Sequence, residues 1–332
     1  MIIKLKKSLS DQVIKNLKSS HKAFHIRNGN DDLLITSSSL KELPNSLDIY
    51  VDDFWVFDND MQLSSKLFSN KTRVVKIGKA TIGGDTKNTV VIGGPCSVES
   101  EKQISESASL LSSLGLSVLR GGCYKPRTSP YSFQGLGLEG LQLLSKMRDK
   151  YGLSVITEVR DATHVMDVIE HTDVVQVGAK AMYDQGILRA CSKTNKPILI
   201  KRGFGTTLQE FVQAAEFVLS GGNENVILCE RGIRTFETGT RFTLDLCGVA
   251  WLQEKCNLPV ILDPSHAMGY SYAIPNLSKA CVAMGVDGLL IEMHPDPRNA
   301  KSDASQQLTH AEFENLLTVL GPVSKSVGYN LI

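Results

Sequence analysis

Eight short runs of branched aliphatic residues, each separated from the next by an amphipathic stretch, fill the chain from Val90 onward. No other feature constrains the fold as much. The runs are VVIGG (90–94), LSVLRGG (116–122), LSVITEV (153–159), DVVQVG (173–178), PILIKRG (197–203), NVILCER (225–231), LPVILDPSH (258–266) and VDGLLIEMH (286–294). Continuous Val, Ile and Leu of this length suit parallel strands buried on both faces. Helical patterns lie between them. In SEKQISESASLLSS (100–113) a serine stands where it can cap the first turn, a glutamate follows, and Ile104, Ala108 and Leu111 share one face. Residues 208–219 and 242–252 read the same way. Eight β–α repeats in succession predict a closed α/β barrel, (β/α)₈. A doubly wound open sheet is the alternative, and it does not account for the whole count.

Residues 1–68 break that rhythm. MIIKLK reads as a strand, residues 11–20 as a helix, and AFHIRNG with DLLITSS as a hairpin-like pair around Gly29 and Asn30. A short helix near 39–43 and a strand in DIYVDDFWVF complete a βαββαβ order, which predicts a small α+β ferredoxin-like unit. Residues 71–88 read as a linker with a hairpin closing the barrel floor. The expected division is a ferredoxin-like domain over 1–70 and a barrel over 71–332, which suits a chain of 332 residues.

Charge narrows the function. Lys plus Arg number 36 and Asp plus Glu 35, so no global field invites nucleic acid, and any anion site must come from local clustering. The opening MIIKLKKSLSDQ is too briefly apolar for a signal peptide, and no run approaches the roughly 18 apolar residues of a membrane span. The seven scattered cysteines, set in runs such as VILCER and LDLCGV, fit a reduced cytoplasmic protein better than a disulfide framework.

In barrels of this kind chemistry gathers at the carboxyl ends of the strands. Here those ends carry Cys96, Arg120 followed by Lys125 and Arg127, Glu158, Lys180, Lys201 with Arg202, Glu230 with Arg231, Asp263 with His266, and Glu292 with His294. Any one of these basic residues alone reads as a solvated loop residue. Several converging on one mouth do not, because like charges repel and desolvation is costly. Arg120, Lys125, Arg127, Lys180, Lys201 and Arg231 suit a ligand bearing phosphate and carboxylate. A second set is Cys96, His266, Glu292 and, in the loop beyond, Asp303. Taken singly these are a small core residue, a satisfied hydrogen-bonder, a paired acid and a surface acid. Barrel closure makes their strands neighbours, so together they predict a divalent-metal site with S, N and O donors, open to Mn, Fe, Co, Cu or Zn. The residues alone thus point to a metal-assisted enzyme acting on a phosphorylated carboxylate.

The blocks GGPCSVES (93–100), LRGGCYKPRTSPYSFQGLG (119–137), ILCERGIRTFETGTRFTLDL (227–246), LDPSHAMG (262–269) and IEMHPDPRNAKSDASQQL (291–308) closely resemble the type I synthases of 3-deoxy-D-arabino-heptulosonate 7-phosphate. The similarity runs in order from about Val74 to Leu320. The N-terminal segment resembles, more weakly, the ferredoxin-like extension of the family's β subgroup. The resemblance implies that Cys96, His266, Glu292 and Asp303 bind one divalent ion (Mn²⁺, Fe²⁺, Co²⁺ or Zn²⁺). It implies that Arg120, Lys125, Lys201 and Arg231 hold phosphoenolpyruvate, and that Arg127 and Thr128 receive the aldose phosphate. Lys180 and Asp263 join the substrate set, and Lys125, Glu158, Cys96 and His266 form the catalytic set. A sister family makes 3-deoxy-octulosonate 8-phosphate from arabinose 5-phosphate, with a stretch nearer Lys-Ala-Asn-Arg-Ser than the Lys125-Pro-Arg-Thr-Ser129 found here. That favours erythrose 4-phosphate as acceptor.

Three departures stand near the site: Gly178-Ala179-Lys180-Ala181 where the subgroup has Gly-Ala-Arg-Asn, the segment 267–270, and Phe242 where Asn is common. They leave two other readings, a synthase for another aldose phosphate and a non-catalytic scaffold. For the N-terminal unit, an aromatic amino acid effector site and a purely structural or oligomerisation role stand level, in a homotetramer or homodimer.

Overall fold

The computed structural model describes residues 1–125 and 129–332. The N-terminal part runs β1 (Ile2–Leu5), α1 (Asp11–Ser20), β2 (Phe24–Asn28), β3 (Asp31–Ile35), a 3₁₀ turn (Asn45–Tyr50) and β4 (Val51–Trp55). Its four strands lie in the order β2-β3-β1-β4, with β3 antiparallel to both β1 and β2 and β4 antiparallel to β1. The strand order is that of a split βαβ fold. The helix expected at 39–43 does not form. A turn occupies that stretch, and the 3₁₀ helix follows Pro44 instead. Proline disfavours helical backbone at the residue before it yet is well placed to open a helix, so the winding moves downstream and buries Leu47.

The chain then forms a hairpin, β5 (Val74–Ile77) with β6 (Ala80–Gly83), before entering the barrel. The barrel strands are β7 (Asn88–Gly94), β8 (Val118–Arg120), β9 (Ser154–Val159), β10 (Val174–Val177), β11 (Ile198–Lys201), β12 (Val226–Glu230), β13 (Val260–Leu262) and β14 (Gly288–Glu292). Each pairs in parallel with the next, and β14 pairs with β7, so among the described residues eight strands close on themselves. The helices between them are α2 (Glu101–Ser113), α3 (Leu138–Tyr151), α4 (Val165–His171), α5 (Gln185–Cys191), α6 (Leu208–Leu219) and α7 (Leu246–Lys255). After β13 come α8 (Pro264–Met268) and α9 (Ile274–Ala283), and after β14 comes α10 (His310–Ser326).

Caps set the helix starts. Ser100 Oγ accepts from the Gln103 amide, and Thr207 with Glu210 and Thr309 with Glu312 form reciprocal capping boxes. The helix read over 242–252 begins later, at Leu246. Asp245 caps it through the Gly248 amide at 2.7 Å, while Thr243 pairs back onto Ile233.

Inside the barrel Val90, Ile92, Val118, Ile156, Val174, Leu199, Ile227, Cys229, Ile261 and Leu290 form one cluster with Val75, Ile77, Ala80 and Ile82 of the hairpin. The hairpin therefore plugs the amino-terminal end. The segment that follows the N-terminal sheet is tied to α6: the half-buried Glu216 carboxylate accepts from the amides of Gln62 (2.7 Å), Leu63 (3.2 Å) and Ser64 (2.8 Å).

At the floor, Asp287 accepts from the Val260 amide at 2.8 Å, and burial pushes its carboxyl up from 3.8 to about 6. A folded-state value above the unfolded one means that the folded form holds the extra proton. The stabilisation it brings is full below 3.8 and is lost as pH rises through about 6. Over that range the loss is on the order of 3 kcal/mol. Asp287→Asn keeps an acceptor and carries no charge. It should melt above the parent at pH 8, with the gap closing toward pH 4. Parallel melting curves across pH check this, and a constant gap would refute it.

Candidate active site at the carboxyl rim

Closure of the barrel fixes the first contact. In the β14–β7 register Glu292 lies opposite Gly94, two residues before Cys96. Gly94 has φ +142°, and a Cβ there would collide with the Arg120 carbonyl, so glycine lets the rim draw in. Beyond Glu292 the chain makes a loop and returns, with Met293 bridging Leu308. Asp303 in that loop adopts left-handed backbone at φ 44°. The result is a close group: donor atoms of Cys96, Glu292 and Asp303 all lie within 4.8 Å of one another, with Cys96 Sγ 3.4 Å from Asp303 Oδ2.

His266 joins from α8, the short helix after β13. Its Nε2 stands 3.3 Å from Glu292 Oε1, and its Nδ1 stands 2.7 Å from Asp263 Oδ2. Burial lowers the imidazole's affinity for a proton although two carboxylates oppose this, and the neutral ring is the form that ligates metal. Asp263 is fully buried, and Lys201 Nζ donates to it at 2.5 Å. Burial alone would raise its carboxyl, but His266 and Lys201 hold it well below the usual range. A carboxylate behind an imidazole nitrogen fixes the tautomer and leaves the other nitrogen facing the rim.

Glu292 is held as well. Arg120 Nη1 donates to it at 2.9 Å and Gln306 Nε2 at 2.5 Å, and Cys96 donates its amide to Gln307 Oε1 at 2.8 Å. Burial and the Glu292 charge push the Cys96 thiol up to about 12, against the pull of Lys125, whose Nζ is 3.1 Å from the sulfur. The thiol and two carboxylates share this small space, and the imidazole adjoins it at Glu292 rather than standing within 4.8 Å of all three. Together they make a poor cluster by themselves and a fitting donor set for one divalent ion. Such an ion deprotonates a coordinating thiol outright.

Beside this group opens a cavity of about 260 Å³. Lys125, Glu158, Lys180, Lys201, Arg231, His266 and Asp303 line it, together with Ala179, Phe204, Arg241 and Phe242. Arg120 lies beneath the rim, 2% exposed. Other strand-end residues go elsewhere. Arg202 donates to Glu230 at 2.9 Å and Asp245 at 2.7 Å, forming a buried brace behind the rim, and His294 accepts from the Asp296 amide. Arg127 and Thr128 lie outside the described residues. Sequence reasoning passed over Gln306, Gln307, Arg241 and Phe204. The two glutamines stand in the DASQQL stretch, where only their spacing from Asp303 could have marked them. Arg241 and Phe204 occupy loops that carry no periodicity.

A rim furnished this way defines a (β/α)₈ enzyme that handles anionic substrates and has the donors for a cation. The chain belongs to the DAHP synthetase I family, whose model matches residues 65–327. It is 42% identical over 267 residues to the phospho-2-dehydro-3-deoxyheptonate aldolase of Thermotoga maritima, a match covering 80% of this chain and 78% of that protein. It is 32% identical over 262 residues to a 2-dehydro-3-deoxyphosphooctonate aldolase of Bradyrhizobium sp. (strain BTAi1), covering 74% of this chain and 91% of that one. The crystal structure of the Thermotoga maritima DAHP synthase superimposes with a TM-score of 0.80 at 34% identity, covering 100% of this chain and 98% of that one. A truncated form of the Thermotoga enzyme matches at TM-score 0.76 and 38% identity, covering 81% of this chain and 98% of the truncated one.

Two adjacent cations should separate structure from function. Arg202→Met leaves Glu230 buried without its cation and should lower stability by about 3–5 kcal/mol. Arg231 has a buried Nη1 with no partner among the described residues. Arg231→Met should therefore leave stability unchanged or raised. Urea denaturation of both variants checks this, and equal losses would contradict it.

Proposed function

We propose that this protein condenses phosphoenolpyruvate with erythrose 4-phosphate to give 3-deoxy-D-arabino-heptulosonate 7-phosphate and inorganic phosphate, the first step toward aromatic amino acids. Membership of the DAHP synthetase I family supports the reaction. The observation that carries the reading of the site is the S/N/O donor group opening onto a cavity walled by Lys125, Lys180, Lys201 and Arg231.

In this reading Arg120, Lys125, Lys201 and Arg231 hold phosphoenolpyruvate, Lys180 adds charge at the mouth, and Arg127 and Thr128 receive the acceptor's phosphate. Two multiply charged anions side by side need this many cations. Charges ~4 Å apart repel by about 4 kcal/mol at an effective dielectric near 20. C3 of phosphoenolpyruvate forms a bond to the aldehyde carbon, water adds at C2, and the C2–O bond to phosphate breaks. Lys125 stands over Cys96, where it can supply the proton that the new hydroxyl needs. Glu158, with its Oε2 held by Gln176 at 3.0 Å, can take the proton that the water gives up. Asp263 keeps His266 and Lys201 aimed at the rim. Cys96, His266, Glu292 and Asp303 would hold a divalent ion, which supplies Lewis-acid polarisation of the aldehyde carbonyl. Mn²⁺, Fe²⁺, Co²⁺ and Zn²⁺ all match the donors.

The same reading extends to the rest of the chain. Residues 1–70 would form the regulatory unit and 71–332 the catalytic one. The assembly would be a homodimer or homotetramer in the cytoplasm, and an aromatic amino acid would be the effector. All seven cysteines are free, and among the described residues no helix is long and apolar enough to cross a membrane. Turnover of the full chain falling on titration with tyrosine or phenylalanine would support the effector role. Flat curves for both would remove it.

Phosphate release should need added divalent metal and stop after chelation, returning with Mn²⁺. Cys96→Ala should lose at least ~100-fold, beyond what loss of an outer-shell partner brings. Unchanged turnover in metal-stripped buffer would end the metal assignment. Across aldose phosphates, erythrose 4-phosphate should give the highest kcat/KM, and a preference for arabinose 5-phosphate would move the chain to the sister activity.

A further inference from the structure

The cations of the rim differ in what restrains them. Arg120 spends Nη1 on the Pro95 carbonyl and Glu292, Lys201 is committed to Asp263, and Arg202 is bound to Glu230, Asp245 and the Thr206 carbonyl. Arg231 is 5% exposed and lines the cavity, yet its Nη1 meets no partner among the described residues. What lies against it is a ring. Its guanidinium carbon is 4.4 Å from the centroid of Phe242, and Phe242 stacks on Phe204 at 5.4 Å and 27°. Arg234 stands 5.0 Å from the Phe204 ring and Arg241 5.7 Å from the Phe242 ring.

Phe242 is itself pinned. Its amide donates to the Ala267 carbonyl at 2.9 Å, next to His266, and Thr243 pairs with Ile233 in both directions. Gly232, at φ +97°, passes so close that a Cβ there would lie 2.7 Å from Phe242 Cβ.

We propose that Phe242, backed by Phe204, is a positioning residue that holds Arg231 in place with its donors uncommitted, ready for an anionic group of phosphoenolpyruvate. The physical case rests on competition. A carboxylate partner would fix a buried arginine equally well, but it would occupy the fork and repel the incoming anion. A ring face attracts the cation through its quadrupole and uses none of its N–H groups. The same faces ease the crowding of three guanidiniums, which otherwise repel one another.

The proposal depends on the reaction assigned above, so the test reads both. Wild type is first assayed for phosphate release, and absence of turnover with erythrose 4-phosphate would remove the parent reading. Given turnover, Phe242→Ala and Phe242→Leu should each raise KM for phosphoenolpyruvate, and its Kd by calorimetry without the second substrate, by about tenfold. That lies between an exposed and a fully desolvated cation–π contact, as suits a half-buried ring. KM for erythrose 4-phosphate and the melting temperature should change little. Phe242→Tyr and Phe242→Trp, which keep a π face, should stay within about twofold of wild type. Leucine binding phosphoenolpyruvate as well as phenylalanine would overturn the proposal, because apolar packing would then suffice. So would a loss in kcat alone with Kd unchanged.

Discussion

The parallel pairing of β14 with β7 is the interaction on which the rest depends. It seals the barrel, and in the same register it sets Glu292 against Gly94. Residues nearly 200 positions apart in sequence then share one rim. Without closure Cys96 and Glu292 would sit on opposite edges of an open sheet. The returning loop after β14 completes the arrangement, with Gln306 and Gln307 tying Glu292 and the Cys96 amide to the same turn.

Charge at the rim divides into braces and open hands. Arg202, Glu230 and Asp245 neutralise one another out of reach of the cavity, and their burial is tolerable because Arg202 Nη1 meets both carboxylates, although its Nε has no partner among the described residues. Arg231, one residue along from Glu230, lines the cavity instead. Neighbouring residues on a strand end point to opposite faces, so one dipeptide supplies both an ion paired within the fold and one that faces the cavity. This alternation also separates Lys201 from Arg202.

Much of this was legible in the sequence because it follows from local patterns. Each of the eight aliphatic runs coincides with an observed strand, the first strand starting two residues earlier at Asn88, and the rim placement of Lys201, Arg231, His266 and Glu292 follows from the runs alone. What escaped depended on contacts distant in the chain. The start of α7 moved from 242 to Leu246 because Phe242 and Thr243 are drawn away by Ala267 and Ile233, partners that no periodicity announces. The 39–43 stretch has helical composition, and Pro44 redirects it. Arg241 was passed over, since nothing local tells that Gln306 lies 2.8 Å from its Nη1. Arg202 and Glu230 could not be told from their cavity-lining neighbours without the brace that Asp245 completes.

The hairpin of β5 and β6 makes the barrel a vessel with one door. Val75, Ile77 and Ile82 fill the far end, so traffic has no rear exit. Anything that enters the cavity, and anything that leaves it, must therefore pass the one open end, where Lys125, Lys201 and Arg231 stand.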